Sequence, residues 1–435
     1  MPITAGPHAV DDSPTAIHRE ESYTGFLLPP IETKQRALDD VMIPPEKIND
    51  CFALFFEHYC PIVPVLNAAN DISPNAIYER CPFLFWSIIT VGSQRYYEDP
   101  TIFSRLSSRI VALAFRYITE RLTPLHTIEG LILLCAWPVP VTHMYRDTTH
   151  TIAGAALQLA LQCGLHIVGE GQEFARTYIR ENVAEKRYRA NLWYYCLIIC
   201  QSASIADGLP PLNVLDSFSF PRGRKEVTGL LSSRLLFQTR LHRIQVAAIF
   251  EIMQCAMGPT SDSNAVNAMI DVFDGRVREF ESELCDGFDE FVLNSTRLHI
   301  ATFRLMVNPE DMDNLGIIKL YSISRSVIEG ATELDKRIGF SVYSTFYHLR
   351  SLLLAASLIL KISRSHLSTQ VDLVGGERSY FSVIQFARRR SVEPSDLDSR
   401  VVSILTQLWS SRLSSNLRDE DRSSRLIWTQ ESSVS

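Results

Sequence analysis

A helix with almost no polar face lies in the middle of this 435-residue chain. The stretch AGAALQLALQCGLH, residues 153–166, carries alanine, leucine and cysteine around nearly its whole circumference. The only stripe that can meet water is narrow and consists of Thr151, Ala155, Gln158 and Gln162. A helix that is apolar on nearly every side is buried by other helices. The stretch therefore predicts a helical bundle with this helix at its centre.

Glycines indicate how this helix packs and where it ends. Gly154 lies among alanines, and because glycine costs roughly 1 kcal/mol against alanine inside a helix, we expect another helix to approach closely there. Gly164 stands where a left-handed residue ends a helix, and Leu165 can fold back on the last turn. His166 has no ligand-spaced neighbour, so we interpret it as a packed or capping histidine rather than a metal ligand or proton shuttle.

Helical periodicity extends over most of the chain. Asp99, Thr127 and Asp147 each precede an apolar periodic run and predict the starts of three consecutive helices. Further amphipathic runs predict helices over residues 230–257, 263–285, 318–333, 341–364 and 400–413. No sustained alternation of apolar and polar residues predicts a substantial sheet. The predicted fold class is all-α, a large multi-helix bundle of antiparallel helix pairs.

The two ends of the chain differ in composition from the middle. Residues 1–45 are acidic, rich in proline and without apolar periodicity, so we expect a disordered N-terminal tail. Residues 413–435 are rich in serine and predict a flexible C-terminal tail. Residues 46–412 are predicted to form one helical domain between these tails.

Charge, cysteines and hydropathy exclude several classes of protein. A formal net charge of −7 argues against a broad basic surface for nucleic acid. The cysteines are odd in number, nine, and lie mostly in apolar segments, which is typical of reduced, buried thiols. The longest apolar run, residues 192–200, is far below the ~18 residues that cross a bilayer, and no secretory signal pattern is present. We expect a nuclear protein, with the cytoplasm as a second location, and no membrane partner.

Four more stretches flank the central helix in a set order. They are FFEHYCPIVPVL, CPFLFWSIITVGSQRY, TIEGLILLCAWPVP and EKRYRANLWYYCLIICQSASIADGLP, at residues 55–66, 81–96, 127–140 and 185–210. In this order and spacing the chain resembles, over about residues 50–220, the fungal-specific transcription factor domain, the middle homology region of the fungal Zn2Cys6 zinc-cluster regulators. The matching signature positions, which the resemblance implies are structural, are Gly164, Leu165, His166, Arg189, Trp193, Gly208 and Pro210.

The chain departs from this family at two places. The Asp-Arg pair usual in the last stretch is Cys200-Gln201, and the arginine of its turn is Leu209, so we expect the ion-pair network of the family to be absent. Family members begin with six zinc-binding cysteines, whereas no cysteine precedes Cys51 and none of the nine shows a two-residue gap. Zinc is therefore expected only if an upstream cluster exists. Cys196 and Cys200, one helical turn apart, are interpreted as core residues.

The resemblance implies a transcriptional regulator of fungal genes, for example of a secondary-metabolism or nutrient-use cluster. Implied partners are a second copy, a zinc-cluster regulator and the transcription machinery, with DNA contacted only indirectly or through a missing module. The alternative is an interaction protein or co-regulator that acts by heterodimerising with zinc-cluster factors. The aromatic residues Trp86, Tyr194 and Tyr195 are candidates for lining a ligand pocket, with core packing as the alternative.

Enzymatic signatures are missing from the sequence. It contains no phosphate-binding loop, dinucleotide turn, zinc-hydrolase helix or nucleophile elbow. A helical enzyme such as a terpenoid synthase is a third hypothesis, but Asp39-Asp40 lacks the third acid of a magnesium motif. We therefore predict that the chain is not an enzyme and has no catalytic residues. The run Arg388, Arg389 and Arg390 is either a phosphate contact or import signal, or a solvated helix end.

Overall fold

Helices carry most of the described chain, which confirms the all-α prediction. A computed structural model describes residues 32–67, 70–169, 171–175, 182–258, 262–307, 309–393 and 396–411. Its helices are α1 (Pro45–Leu54), α2 (Pro74–Arg80), α3 (Pro82–Ser93), α4 (Thr101–Glu120), α5 (Pro124–Ala136), α6 (Thr149–Gln162), α7 (Val183–Ala206), α8 (Pro221–Leu230), α9 (Ser233–Met257), α10 (Ser263–Arg278), α11 (Gly287–Ala301), α12 (Asn314–Ile338), α13 (Phe340–Tyr343), α14 (Phe346–Ser363), α15 (Leu373–Arg390) and α16 (Leu397–Ser410).

A short antiparallel hairpin occupies part of the segment that we predicted to be an N-terminal tail. Strand β1 (Arg36–Leu38) pairs with β2 (Val41–Ile43), which contacts α4. Val41 and Ile43 are buried, and an ion pair of 2.5 Å joins Asp40 in the turn to Arg109 on α4. The disorder prediction is therefore wrong for residues 33–45, because a few apolar side chains suffice to dock a hairpin without producing a periodic pattern. Residues 1–31 of the predicted N-terminal tail and the whole predicted C-terminal tail, residues 413–435, lie outside the described residues.

Two large apolar clusters divide the bundle along the chain. The first, from Leu38 to Leu235, surrounds α3, α5 and α7, which are apolar on most of their faces. The second joins α11, α12, α14, α15 and α16. By length and composition α14 could cross a membrane, but 67% of it is buried in the bundle, as expected for a core helix. A hydrogen bond of 2.8 Å from Trp137 Nε1 to the carbonyl of Tyr343 connects the two regions.

The predicted helix starts agree with the structure in two of three cases. Asp99 and Asp147 each accept a hydrogen bond from the backbone N–H two residues further on, at 3.2 and 2.8 Å. Thr127 lies inside α5 instead, because Pro124 begins that helix with a preset φ. The predictions did not include α1, α2, α8, α11 and α15. The charged residues and glycines of α11 and α15 weaken their periodicity.

The expected close approach at Gly154 is wrong. A Cβ atom added at Gly154 would meet nothing within 4 Å, so this glycine leaves open space beside α6. The close contact lies at Gly92 on α3, where an added Cβ would lie 2.2 Å from the carbonyl oxygen of Cys51 on α1. Small residues in a helix therefore did not by themselves identify the close contact.

These two glycines provide a matched pair of substitutions. Gly92→Ala is expected to lower the free energy of unfolding by about 1–3 kcal/mol, because backbone must move to admit the methyl group. Gly154→Ala is expected to raise it by up to about 1 kcal/mol, since helix propensity improves without a clash. Urea denaturation at constant pH measures both. Equal stability of the two variants would contradict the close packing of α1 on α3.

Candidate functional site

Four helices border a partly open cavity where the clusters of the bundle meet. Helices α7, α9, α11 and α14 contact one another around it, and its volume is about 70 Å³. Apolar walls come from several isoleucines, Val292 and Phe288, and polar groups from Tyr195, Ser202, Gln245, Thr296, Tyr347 and His348. A space of this size with polar walls can hold a few water molecules or a very small ligand.

A buried hydrogen bond crosses the cavity region between α9 and α14. The amide Nε2 of Gln245 donates to the hydroxyl oxygen of Tyr347 at 2.9 Å. The Tyr347 ring stacks on the imidazole of His299, with ring centroids 5.3 Å apart. Burial raises the pKa of Tyr347 to about 12, so the phenol stays protonated. These contacts hold a neutral hydrogen-bonding group at the cavity wall.

Three neutral histidines lie in the cavity wall or against this tyrosine. Burial lowers the pKa of His242 and of His299 to about 4, and that of His348 to about 3. His242 Nε2 lies 2.8 Å from Gln201 Oε1, and His348 Nδ1 accepts a hydrogen bond of 3.2 Å from the Thr345 N–H. All three rings are therefore uncharged at neutral pH.

The described lining of the cavity includes no Asp, Glu, Lys or Arg. A charged ligand would have to lose its water without gaining an ionic partner, which is costly. The available donors and acceptors are hydroxyls, amides and imidazoles, which suit an uncharged molecule. The cavity therefore suits an uncharged ligand that forms hydrogen bonds.

The structure brings one of the three aromatic pocket candidates to this cavity. Tyr195 lies in its wall. Trp86 is buried in the first cluster, with its ring 5.1 Å from that of Phe85. Tyr194 lies on another face of α7, with its ring 6.3 Å from Phe218, because successive helical residues point about 100° apart.

The signature residues at the end of α6 form a helix cap. Gly164 has φ +69°, and the Leu165 N–H donates to the carbonyl of Ala160 at 3.1 Å, as predicted for a left-handed end. The ring of His166 lies 6.0 Å from that of Trp193, and burial lowers its pKa. The structure therefore places His166 among aromatic rings as a packed histidine.

The signature residues on α7 connect it to neighbouring backbone. Arg189 donates to the carbonyl of Cys163, while Trp193 Nε1 donates to Asp216 Oδ2 at 3.0 Å. Gly208 has φ +72° just beyond the end of α7, and Pro210 is exposed in the loop that follows. These residues set where α6, α7 and the loop after α7 lie relative to one another.

Asp216 is the buried carboxylate that sequence reasoning missed. Its side chain is 0% exposed and accepts a hydrogen bond of 3.0 Å from Arg243 on α9 as well as that of Trp193. Its hydrogen bonds with Ser219 form a capping box. In the sequence, the spacing of Asp216 and Ser219 was the one signal of this helix start.

The departures from the family pattern lie next to the cavity. Gln201 donates to the carbonyl of Leu212 and bonds to His242, so it links the loop after α7 to α9. The buried thiols of Cys196 and Cys200 lie 3.9 Å apart. Among the described residues no group of three or more His, Cys, Asp or Glu could hold a metal ion. Gln201 thus places a neutral amide where the family usually has the arginine of its ion pair.

Comparison with known proteins relates the chain to fungal transcription factors. It is 32% identical over 211 residues to the transcriptional regulatory protein SEF1 of Candida albicans, which covers 47% of this chain and 22% of that protein. It is 21% identical over 425 residues to the regulatory protein LEU3 of Saccharomyces cerevisiae, which covers 86% of this chain and 47% of that protein. No family model matches the chain, and no solved structure matches it.

Proposed function

We propose that this chain is the helical regulatory region of a fungal transcriptional regulator, of the middle homology type, and that its central cavity binds a small uncharged effector. The alignment with LEU3 over 86% of the chain is the observation that carries the regulatory part. The matched part of the chain corresponds to about half the length of LEU3 and about a fifth of the length of the Candida protein. The proposal is therefore limited to the helical region that the alignments cover.

The position of the cavity supports a sensing role. It lies where α7 of the first cluster meets α9, α11 and α14, so a ligand there contacts helices from separate cores. A ligand that fits one packing of these helices better than another shifts the population toward it. Small shifts of packed helices are a common route from a binding site to a distant output.

The charge of the chain supports regulation rather than DNA reading as the role of this region. A net charge of −7 provides no broad basic surface, so we expect no sequence-selective DNA binding by this chain at physiological salt. Association with a zinc-cluster regulator in the nucleus would supply the DNA contact, and association with a second copy would not. A gel-shift assay with CGG-type half-sites tests this part, and selective binding without a partner would contradict it.

A reporter assay tests the regulatory role. The full chain, fused to a heterologous DNA-binding domain in yeast, is expected to change reporter transcription at least fivefold relative to that domain alone. Ser202→Val fills part of the cavity and is expected to change the output at least threefold, because it biases the helix packing. The control, Ser322→Val, alters an exposed serine of α12.

The two halves of the proposal fail separately. A reporter level equal to that of the DNA-binding domain alone would refute the regulatory role. A wild-type output from a folded Ser202→Val variant would refute only the role of the cavity. Circular dichroism melting of both variants establishes that they fold.

A further inference from the structure

The end of α15 combines a basic run with a serine. Arg388 and Arg389 are exposed, and Ser391 follows them as the C-cap residue, with Val392 next. These are the only consecutive arginines in the chain. We propose that Ser391 is the phosphorylation site of a basophilic serine kinase, and that phosphate there releases the first turn of α16 from the bundle.

The basic run supplies the recognition chemistry. Kinases select substrates partly by charge pattern, and carboxylates in a substrate cleft pair strongly with guanidinium groups. Arg388 and Arg389 lie three and two residues before the serine, and the side chain of Arg389 is 62% exposed while it forms an ion pair with Asp335 of α12. The structure buries Arg390, which bonds to the carbonyl of Ser344, so the run is not simply a solvated helix end. Fraying of the last turn of α15 would extend the segment for a kinase.

The Ser391 hydroxyl lies in the capping contacts of α16. It donates to Asp396 Oδ1 at 2.9 Å. The same carboxylate accepts the N–H groups of Val392 and Ser399 at 2.8 Å, and Asp396 is the N-cap of α16. Asp396 is 3% exposed. A change at Ser391 therefore acts directly on the group that begins α16.

Two buried guanidinium groups flank the same serine. Arg95 is 7% exposed and donates to the carbonyls of Arg390 and Ser391, and its Nε has no hydrogen-bond partner among the described residues. Arg390 forms an ion pair of 3.2 Å with Asp398 in the first turn of α16. The pocket beside Ser391 therefore holds cationic groups that can receive an anion.

Phosphoryl transfer from ATP is the covalent step. The Ser391 oxygen forms a bond to the γ-phosphorus while the bond between that phosphorus and the β,γ-bridging oxygen breaks. ADP leaves, and the hydroxyl proton passes to the base of the kinase. The product carries about −1.5 to −2 charges at neutral pH.

This charge weakens the two polar contacts of α16 that lie next to Ser391. Phosphoserine cannot donate its former hydrogen bond to Asp396, and the two anions repel each other. The phosphate also competes with the single carboxylate of Asp398 for Arg390. The rest of α16 stays docked through the stacking of Trp409 on Tyr380 at 4.6 Å and through hydrogen bonds that Tyr380, Arg364 and Arg400 make between this helix and its surroundings. The first turn of α16, which depends on Asp396 and Asp398, is thus expected to undock.

Phosphorylation in vitro tests the site. The full chain is incubated with Mg-ATP and the catalytic subunit of the cyclic-AMP-dependent protein kinase, and mass spectrometry locates the phosphate. We expect close to one phosphate on Ser391, none there in Ser391→Ala, and a rate at least tenfold lower in the double variant Arg388→Ala, Arg389→Ala. Wild-type melting of the variants shows that they fold. Absence of phosphate on Ser391 of the native chain would overturn the proposal.

Hydrogen exchange tests the release of the first turn of α16. Amides of residues 397–402 are expected to exchange at least tenfold faster after phosphorylation, whereas those of α12 keep their rates. Asp396→Ala, which removes the cap without a kinase, is expected to accelerate exchange in the same residues. Ser391→Ala treated with the kinase is the control. Phosphate on Ser391 with unchanged exchange in residues 397–402 would overturn the switch.

Discussion

Replacing Asp216 by alanine is expected to lower the free energy of unfolding by about 3–5 kcal/mol. The carboxylate is completely buried and bonds to Trp193 and Arg243 at 3.0 Å each. Its removal leaves the buried indole N–H of Trp193 without its acceptor, and leaves the Arg243 guanidinium with its hydrogen bond to Ser219 but without its ionic partner. Because the Arg243 side chain is 28% exposed, part of its charge can reach water, so the lower end of the range is expected. Urea denaturation measures the change.

Two further variants separate charge from hydrogen bonding at this position. Asp216→Asn keeps an oxygen acceptor for Trp193 and is expected to cost about 1–3 kcal/mol. Asp311→Ala removes an exposed carboxylate in a short 3-10 turn and is expected to change stability by less than about 0.5 kcal/mol. A cost below about 1 kcal/mol for Asp216→Ala would show that the buried carboxylate does not hold α7 to α9.

Lowering the pH from 7 to 5 is expected to reduce the free energy of unfolding by about 4–6 kcal/mol. Burial lowers the pKa of His242 and His299 to about 4 and that of His348 to about 3, against 6.5 for free histidine. Below pH 6.5 the unfolded chain binds protons that the folded chain excludes. The stabilisation is therefore fully present above pH 6.5 and decreases as the pH falls toward 4, by about 1.4 kcal/mol per unit and histidine.

One histidine acts in the opposite direction. The hydrogen bond of 2.7 Å to Asp207 raises the pKa of His150, so its contribution is present below pH 6.5 and is lost as the pH rises through its folded pKa. This single group offsets part of the loss from the three buried rings. The net prediction remains destabilisation in acid.

Urea midpoints at pH 7, 6 and 5 test the histidine effect. His299→Gln keeps a hydrogen-bonding group beside Ser351 but cannot be protonated, so it is expected to remove about a third of the pH dependence. His366→Gln changes an exposed histidine and is the control. A wild-type stability that does not change between pH 7 and pH 5 would contradict burial of the three neutral rings.

Local signals in the sequence were reliable where the structure depends on neighbouring residues. Gly164 ends α6 in the left-handed conformation, and Asp147 accepts the first hydrogen bond of that helix, both as predicted. The predictions failed where the outcome depends on distant residues. Gly154 meets open space while Gly92 contacts Cys51, because a small residue permits close packing but does not supply the neighbour.

The cavity shows the same limit. Tyr195 was a candidate from its aromatic character, but Gln245 and Tyr347, which share its wall, are 102 positions apart in the chain. No periodic pattern contains information about which buried side chains of different helices meet. The fold class was predictable, whereas the composition of the site was not.

The sequence by itself determined that the chain forms helices, where several of them end and that α6 is buried. These properties follow from interactions within a few residues, such as caps and the spacing of apolar side chains. Only the tertiary structure decided that Asp216 connects Trp193 to Arg243, and that neutral histidines line a central cavity. The reason is physical, because apolar burial is nondirectional and leaves the identity of the packing neighbour to the three-dimensional arrangement of whole helices.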